Sequence, residues 1–486
     1  MHAEDAYLFR HALLRDAAYQ MQVPGDRAKL HELAFYLIEE AFGGRAPEPA
    51  PLDAIDSPKF EPHATDVVAG ELAYHARLGV RQGAQGDDAG VPAAPYTLYL
   101  RRAAEHDERN FQNAGALAAW EALAALLQGA AKGEATRRAG AVAVNSGNPV
   151  RGEAAFEHAL SICREVGNRR GEGIALSSLA LVYENTGRML QAEAAFEQAL
   201  AIHREVGDRR SEGVALGNLA TVYQNTGRMQ QAEATYEQAL AIHREVGDRR
   251  SEGVALGNLA LVYKNTGRTE QAEAIHEEAL AIHREVGYRR NEGVALGNLA
   301  IVYQTTGRMQ QAEATYEQAL VIHREVGDRR FEGIALGNLA IVYQDTGRLQ
   351  KAEATYEQAL AILHEVGDRR VGGNTLGNLA IVYQKTGRMQ RAEVTFERAL
   401  AIHREVGNLR FEGAHSCEFA LCLLALGREA DAARRWQQGA TILRELGDNT
   451  ELESKTTAMH EACAKAGIEP FDMPGEGEAK RQPETN

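Results

Sequence analysis

The sequence is poor in aromatic residues and cysteine and has no long apolar run, and each scarcity excludes a class of protein. Aromatic residues make up 6% of its 486 residues, whereas alanine, leucine and glutamate are abundant, a composition that favours helices over strands. No apolar run reaches the 18 residues of a membrane helix, and the first residues lack the order of a secretory signal, so we expect a cytoplasmic protein. We expect reduced thiols, because no C-x-x-C pair or zinc-site spacing links Cys163, Cys417, Cys422 and Cys463.

The charge balance and the lack of common catalytic motifs narrow the possible functions further. The formal net charge is −15, which argues against a nucleic-acid partner bound through phosphate contacts. The sequence contains no G-x-x-x-x-G-K-[ST] loop, no G-x-S-x-G motif, no H-E-x-x-H motif and no Gly-rich dinucleotide-binding loop. We therefore expect no enzymatic activity, no cofactor and no bound metal.

The most informative feature is a repeat of 40 residues. The segment that begins at His203 recurs almost unchanged from His243, and related copies begin near residues 163, 283, 323, 363 and 403. A valine or leucine precedes a glycine at the same point of each copy, at positions 166, 206, 246, 286, 326, 366, 406 and 446. A fixed period in this range predicts a solenoid, in which each repeat buries its apolar face against its neighbours.

Each repeat is predicted to form two helices. In the copy at 208–247, Asp208 is a favourable N-cap residue, and Gly227 is expected to end the first helix in a left-handed conformation. Apolar side chains recur along one face of each helix with the 3.6-residue period. Their order of large, small and aromatic residues resembles the tetratricopeptide repeat, through Leu216, Leu219, Ala220, Tyr223, Ala232, Tyr236 and Ala239. The 40-residue length is similar to that of the Pins/LGN scaffold proteins and, more loosely, of kinesin light chain.

This resemblance implies an all-α fold, a right-handed superhelical solenoid of antiparallel helix pairs. It covers residues 134–447 in about eight repeats of 40 residues, and the last repeat is divergent, with Leu423 in place of the tyrosine. A capping helix is predicted at 448–467. The tail at 468–486 is rich in proline, glycine and charged residues, so it is predicted to be disordered.

The N-terminal third of the chain differs from the repeats. Residues 5–43 resemble the region after the nucleotide-binding domain of STAND-type signalling ATPases, through Phe9, Arg10, His11, Leu13, Asp16, Tyr19, Arg27, Leu30 and His31. The resemblance implies a helical or winged-helix-like remnant at 1–44, a Pro-rich linker at 45–66 and irregular helical repeats at 67–133. Because the phosphate-binding loop is missing, it does not imply ATPase activity.

Two columns of equivalent positions are interpreted as core. Histidine recurs at 203, 243, 283, 323 and 403, and histidines in register invite a metal-site interpretation. However, packed helices lie about 8–10 Å apart, whereas a metal–nitrogen bond is about 2 Å long. The same column also holds Cys163, Leu363 and Leu443. We therefore expect packing, as for the tyrosines at 183, 223, 263, 303, 343 and 383.

The opposite face of the first helix carries the candidate binding site. In tetratricopeptide folds the first helices line the concave surface, and one polar stripe follows their helical period. Asparagine amides suit an extended peptide backbone, arginines suit a carboxylate, and the apolar column suits hydrophobic side chains. The predicted peptide-binding residues are Arg210, Asn218, Asn225, Arg250, Asn258, Asn265, Arg290, Asn298, Ile301, Arg330, Asn338, Ile341, Arg370 and Asn378. The alternative is that the asparagines and arginines only make hydrogen bonds between adjacent repeats.

A glycine recurs inside the first helix, at positions 217, 257, 297, 337 and 377. Each glycine costs about 1 kcal/mol of helix stability relative to alanine, so the repetition indicates a steric demand. Either a close approach of two helices or room for a ligand backbone would explain it. We favour the close approach.

Together these features favour a protein-interaction scaffold that binds a partner protein or an extended peptide with acidic and hydrophobic residues. One alternative is the ligand-sensing regulatory arm of a STAND-type ATPase or of a transcriptional or signalling regulator. Another is an oligomerisation scaffold.

Overall fold

The computed structural model describes residues 23–54, 60–79 and 94–471, and the regular secondary structure in these ranges is entirely helical. The chain forms two compact units, Met1–Asp248 and Arg249–Asn486, called here the N-terminal unit and the C-terminal unit. Both are built from consecutive helices that pack in pairs. The predicted all-α fold of paired helices is confirmed.

The N-terminal unit combines irregular helices with the first regular pairs. Its helices are α1 (Pro24–Ala41), a 3-10 helix (Ala64–Val68), α2 (Ala69–Gly79), α3 (Ala94–Arg109), α4 (Asn113–Leu126), α5 (Gly129–Asn145), α6 (Pro149–Glu165), α7 (Arg169–Asn185), α8 (Met189–Val206), α9 (Arg209–Asn225) and α10 (Met229–Glu245). The predicted remnant at 1–44 falls partly on residues 1–22, outside the described residues, and α1 occupies its second half.

The C-terminal unit contains the remaining pairs and a final helix. Its helices are α11 (Arg249–Asn265), α12 (Thr269–Glu285), α13 (Arg289–Thr305), α14 (Met309–Glu325), α15 (Arg329–Asp345), α16 (Leu349–Glu365), α17 (Arg369–Lys385), α18 (Met389–Glu405), α19 (Leu409–Ala425), α20 (Glu429–Glu445) and α21 (Asn449–Ala466). Helix α21 lies at the predicted capping helix. Most of the predicted disordered tail, residues 472–486, lies outside the described residues.

The turns follow from two residue types at fixed positions. Gly207 and Gly227 adopt left-handed φ angles of 70° and 78°, which end helices α8 and α9 at low steric cost. One residue after the first of them, the Asp208 carboxylate accepts a hydrogen bond of 3.1 Å from the backbone N–H of Ser211 and caps α9. Because these signals recur with the repeat, helices of equal length follow one another.

Small and aromatic side chains fill the space between paired helices. In the pair α9–α10, Ala220, Ala232 and Tyr236 are fully buried. The alanines allow the helices to approach closely, and the tyrosine ring fills the remaining volume. The tyrosine column is buried at Tyr223, Tyr343 and Tyr383 and half-buried at Tyr183, Tyr263 and Tyr303, so the interpretation of this column as packing is confirmed.

A buried glutamate ties the end of one repeat to the start of the next. Glu332 is 3% exposed and accepts hydrogen bonds from Arg324 at the end of α14 and from Arg329 at the start of α15. Buried carboxylates need such partners, because an unpaired charge in the interior is strongly unfavourable. The same triad recurs as Arg164–Glu172–Arg169, Arg204–Glu212–Arg209 and Arg284–Glu292–Arg289.

Candidate functional site

The predicted stripe lies on the first helices of the pairs: α9 in the N-terminal unit and α11, α13, α15 and α17 in the C-terminal unit. Within each unit, first helices of successive pairs contact one another directly, and second helices pack more closely with first helices than with each other. The first helices therefore lie on the inner side of each stack. Side chains on the stripe project from that inner side.

The asparagines of the stripe have side-chain amides that make no hydrogen bond to the described part of the protein. This holds for Asn218 in the N-terminal unit and for Asn258, Asn298 and Asn338 in the C-terminal unit, all of which are half-buried. Asn378 differs, because its Oδ1 lies 3.4 Å from His415 Nε2. The first four asparagines therefore make no side-chain hydrogen bond to an adjacent repeat within the described residues, contrary to the alternative interpretation.

The glycines beside these asparagines face open space. A Cβ atom added to Gly217, Gly257 or Gly297 would meet no atom within 4 Å, and one added to Gly337 would make an ordinary contact with Thr375 Oγ1 at 3.6 Å. The expectation of a close helix approach is wrong at these positions. It is correct at Gly377, where an added Cβ would overlap the ring of His415. We call Asn258, Asn298, Asn338 and their neighbours Gly257, Gly297, Gly337 the amide stripe.

Two glycines of α11 give a matched test of this geometry. Gly257→Ala should stabilise the C-terminal unit by about 0.5–1 kcal/mol, because the helix gains propensity and nothing is displaced. Gly253→Ala should destabilise it by about 1–2 kcal/mol, because the new Cβ would lie 2.7 Å from Cε1 of the buried His283 ring. Urea unfolding of the two variants measures both effects. Equal shifts in the two variants would contradict the geometry.

Most arginines of the stripe are engaged in ion pairs between repeats. Arg290 pairs with Asp328 at 2.6 Å, Arg330 with Asp368 at 2.8 Å, and Arg210 with Asp248 at 3.5 Å. The aspartate in each pair is the residue before the next first helix. For these arginines the structure favours the alternative of a bond between repeats, and it leaves their predicted role in peptide binding untested.

Two arginines depart from this pattern because the aspartate is replaced. Arg250 stacks on Tyr288, with its guanidinium carbon 3.8 Å from the ring centroid. For Arg370 the equivalent residue of the next repeat is Asn408, whose amide donates a hydrogen bond of 2.9 Å to Asn374 Oδ1. Arg370 is exposed and has no ion-pair partner among the described residues. Arg370 is therefore available for an anionic group.

The remaining predicted residues have mixed surroundings. Ile301 and Ile341 are half-buried and pack against the core from the stripe side. Asn225 is exposed and donates a hydrogen bond of 3.3 Å to Glu184 Oε1 on the preceding first helix, and Asn265 is exposed. The structure thus brings amide, apolar and open glycine positions together on the inner side of the C-terminal unit.

The histidine column lies in the core, as predicted. His203, His243, His283, His323 and His403 are 0–3% exposed, and burial lowers the pKa of His203, His283 and His323. In the described part of the chain, no three His, Cys, Asp or Glu side chains form a group that could hold a metal ion. Among the described helices, none is long and apolar enough to cross a membrane.

A cavity of about 690 Å³ lies outside the predicted site, between α16, α17 and α18 of the C-terminal unit. Two departures from the repeat sequence mark the place of this cavity. His364 and Gly372 stand where the other repeats carry the arginine and glutamate of the buried triad.

The comparisons with known proteins agree with the fold. The family model of the tetratricopeptide repeat matches residues 133–205, 211–285, 291–365 and 373–445. No curated protein matches the chain. Among solved structures, BtubC (BKLC) from P. vanneervenii is 25% identical, with a TM-score of 0.41, and the match covers 45% of this chain and 92% of that protein.

Two further solved structures are similar in fold. A Signal Transduction ATPase with Numerous Domains (STAND) protein with a tetratricopeptide repeat sensor, from Pyrococcus horikoshii, is 13% identical with a TM-score of 0.58. That match covers 91% of this chain and 67% of the other. A Rap protein in complex with competence and sporulation factor is 14% identical with a TM-score of 0.50, over 79% of this chain and 99% of the other. Since the repeat family model spans more than half of the 486 residues, the chain belongs to the tetratricopeptide-repeat family.

Proposed function

We propose that the inner side of the C-terminal unit binds an extended segment of a partner protein or peptide. The observation that carries this proposal is the amide stripe, a row of half-buried amides that have no hydrogen-bond partner among the described residues and lie beside glycines that face open space. A half-buried amide that is not used within the protein gains a hydrogen bond when a ligand offers one. The open glycines leave room for a ligand backbone to approach.

The chemistry of the neighbouring positions defines the ligand further. An amide both donates and accepts, so a row of amides suits the alternating N–H and C=O groups of an extended backbone. Ile301 and Ile341 offer apolar contacts between the amides. Arg370 supplies a cation near the end of the stripe, which favours an acidic residue at one end of the bound segment.

The similar structures support this type of function without fixing the partner. The Rap protein was solved with competence and sporulation factor bound, and the STAND protein carries its tetratricopeptide repeats as a sensor. We therefore propose a non-enzymatic role in protein interaction or ligand sensing. A role as the sensor arm of a STAND-type ATPase is a second candidate, because the likeness to the STAND protein covers 91% of this chain, including much of its irregular N-terminal third.

Peptides selected from a random phage-displayed library on the full chain would test the groove. The double variant Asn258→Ala plus Asn298→Ala should weaken their binding about 10–100-fold, because two hydrogen bonds of about 0.5–1.5 kcal/mol each are lost. Fluorescence anisotropy of labelled peptides measures the affinity. The unfolding midpoint should stay unchanged, because these amides have no partner in the described structure.

Exposed amides on second helices of the same unit provide the control. The double variant Gln318→Ala plus Gln358→Ala removes two exposed amides from α14 and α16, and it should bind the selected peptides like the unchanged protein. The variant Gly257→Ala plus Gly297→Ala should weaken binding while it raises stability. Peptides that bind all three variants with unchanged affinity would show that the inner side of this unit is not their site.

A further inference from the structure

The cavity between α16, α17 and α18 is separate from the amide stripe. Its lining residues on α17 are Gly372, Leu376, Leu379 and Tyr383, whereas Asn378 stands on this helix at the position equivalent to the asparagines of the amide stripe. Residues two positions apart on an α-helix point about 200° away from each other, so Leu376 and Asn378 face nearly opposite sides of α17. A ligand in the cavity would therefore not touch the inner side of the unit.

The cavity exists because this repeat lacks the buried Arg–Glu–Arg triad. In the preceding repeat, Glu332 lies between Arg324 and Arg329. At the equivalent positions the cavity is lined by Gly372 between His364 and Arg369. A Cβ atom added to Gly372 would meet no atom within 4 Å, so the volume of the missing glutamate has not been filled by neighbouring side chains.

The departures from the repeat are concentrated on this cavity. The repeats are nearly copies of one another, yet six lining positions carry residues that differ from the commonest one in their column: Leu363, His364, Gly372, Arg391, Val394 and Arg398. Three of these changes, at 363, 364 and 372, replace a charged or polar side chain by a smaller or more apolar one. The other three enlarge α18 at the rim. Departures from the repeat on three different helices thus line the same cavity.

The wall of the cavity is apolar. Leu363, Leu376 and Leu379 are buried in the protein and line it from α16 and α17, and Leu360 and Ile402 are half-buried at its sides. Val394 is 57% exposed and lies at the opening. The volume of about 690 Å³ is within the range of sites for small organic ligands.

The rim of the cavity is cationic. Arg391 and Arg398 replace the glutamine that most repeats carry at the same two positions of the second helix. The Arg391 guanidinium carbon lies 4.6 Å from the Tyr383 ring centroid, and Arg398 has no hydrogen-bond or ion-pair partner among the described residues. The acidic residue of the lining, Asp368, is already paired with Arg330 at 2.8 Å.

We propose that this cavity binds a small amphipathic anion, a fatty-acid carboxylate of medium chain length. The acyl chain would occupy the leucine-lined volume between α16 and α17. The carboxylate would lie at the rim between Arg391 and Arg398, which bind it by charge-assisted hydrogen bonds.

Dodecanoate is the probe for this site, measured by isothermal titration calorimetry on the full chain below its micelle concentration. The double variant His364→Arg plus Gly372→Glu rebuilds the triad that is present at Glu172, Glu212, Glu292 and Glu332. It should fold at least as stably as the unchanged protein, since the same ion pairs form in other repeats, and should weaken dodecanoate binding at least tenfold. Failure of the unchanged protein to bind dodecanoate, or equal binding by the rebuilt variant, would overturn the proposal.

A second variant tests the charge of the ligand separately. Arg391→Gln plus Arg398→Gln restores the residues of the other repeats at the rim and leaves the apolar wall intact. The unchanged protein should prefer dodecanoate to dodecanol at least tenfold, and this variant should lose the preference. A preference that survives in the variant would show that these arginines do not bind the carboxylate. The variant Asn258→Ala plus Asn298→Ala should bind dodecanoate normally, so failure of the peptide site leaves this test intact.

Discussion

Replacement of Arg102 by leucine is expected to lower the free energy of unfolding of the N-terminal unit by about 3–5 kcal/mol. The Arg102 side chain is 2% exposed, and its Nε lies 2.6 Å from Oδ1 of Asp66, which is equally buried. Its other nitrogens donate to the backbone carbonyls of Pro47 and Glu61 at 3.2 and 3.0 Å. The variant leaves the Asp66 carboxylate buried without a cation, and two carbonyls lose their donors.

The two tryptophans of the chain allow this effect to be measured in one unit at a time. Trp120 is fully buried in the N-terminal unit and Trp436 is buried in the C-terminal unit, so a Trp436→Phe background leaves Trp120 fluorescence as the reporter in urea unfolding. Arg151→Leu is the control, because it removes an exposed pair with Glu121 and should cost less than about 1 kcal/mol. A loss for Arg102→Leu no larger than that for Arg151→Leu would contradict the importance of the buried pair.

This ion pair also shows what the sequence could not reveal about the N-terminal third. The proline-rich segment at 45–66 is predicted to be a linker from its composition. In its described part, carbonyls of Pro47 and Glu61 and the side chain of Asp66 bind Arg102 on α3. The partners are 36 to 55 residues apart in the chain. No local pattern or helical period connects such positions, so composition alone could not predict the contact.

The repeats were more predictable because each column compares equivalent positions within one chain. Burial of Ala220, Tyr236 and His243 follows from periodicity and from apolar replacements in the column. The glycine column was interpreted wrongly at Gly257 and Gly297, because a glycine in a helix fits both a close contact and an open surface. Which of these two surroundings a glycine has depends on the residue of the next helix that lies opposite it. The aspartate partners of Arg290 and Arg330 likewise belong to the next repeat, so the arginine column alone is compatible both with peptide binding and with a bond between repeats.

Acidification below pH 6.5 is expected to destabilise the C-terminal unit through its buried histidines. Burial lowers the pKa of His276 to about 4, with a smaller effect of Lys264, and neither ring nitrogen has a hydrogen-bond partner among the described residues. Burial also lowers the pKa of His403 to about 4 and of His415 to about 3, where the neighbouring His403 and Lys455 add to the effect. All three histidines are therefore neutral in the folded protein at neutral pH.

The direction of the pH effect follows from linkage. The folded pKa values lie below the unfolded value of about 6.5, so the unfolded chain binds protons first as the pH falls. Stability is fully retained above pH 6.5 and decreases from there toward pH 4. Carboxylates such as Glu313 and Glu353 become protonated at lower pH than the histidines, because pairing with Arg348 and Arg388 lowers their pKa values below the ordinary 4.5. The range between pH 6.5 and 5 therefore isolates the histidine contribution.

His276→Phe is the variant that tests this prediction, because phenylalanine occupies the same column at Phe196 and Phe396. It should raise the free energy of unfolding at pH 7 by about 1–3 kcal/mol, since two unpartnered buried nitrogens are removed. It should also reduce the loss of stability between pH 6.5 and pH 5 by about 2 kcal/mol. Urea unfolding reported by Trp436, in a Trp120→Phe background, measures both quantities.

The control is His460→Gln, which removes an exposed histidine from α21 of the same unit. Its stability should follow the pH profile of the unchanged protein. The pH dependence that remains in His276→Phe should then come from His283 and His323, whose pKa values burial also lowers, and from the pair formed by His403 Nε2 and His415 Nδ1, which lie 3.0 Å apart. These rings are in contact, so protonation of one disfavours protonation of the other. An unchanged acid sensitivity in His276→Phe would show that His276 is protonated as easily in the folded chain as in the unfolded one.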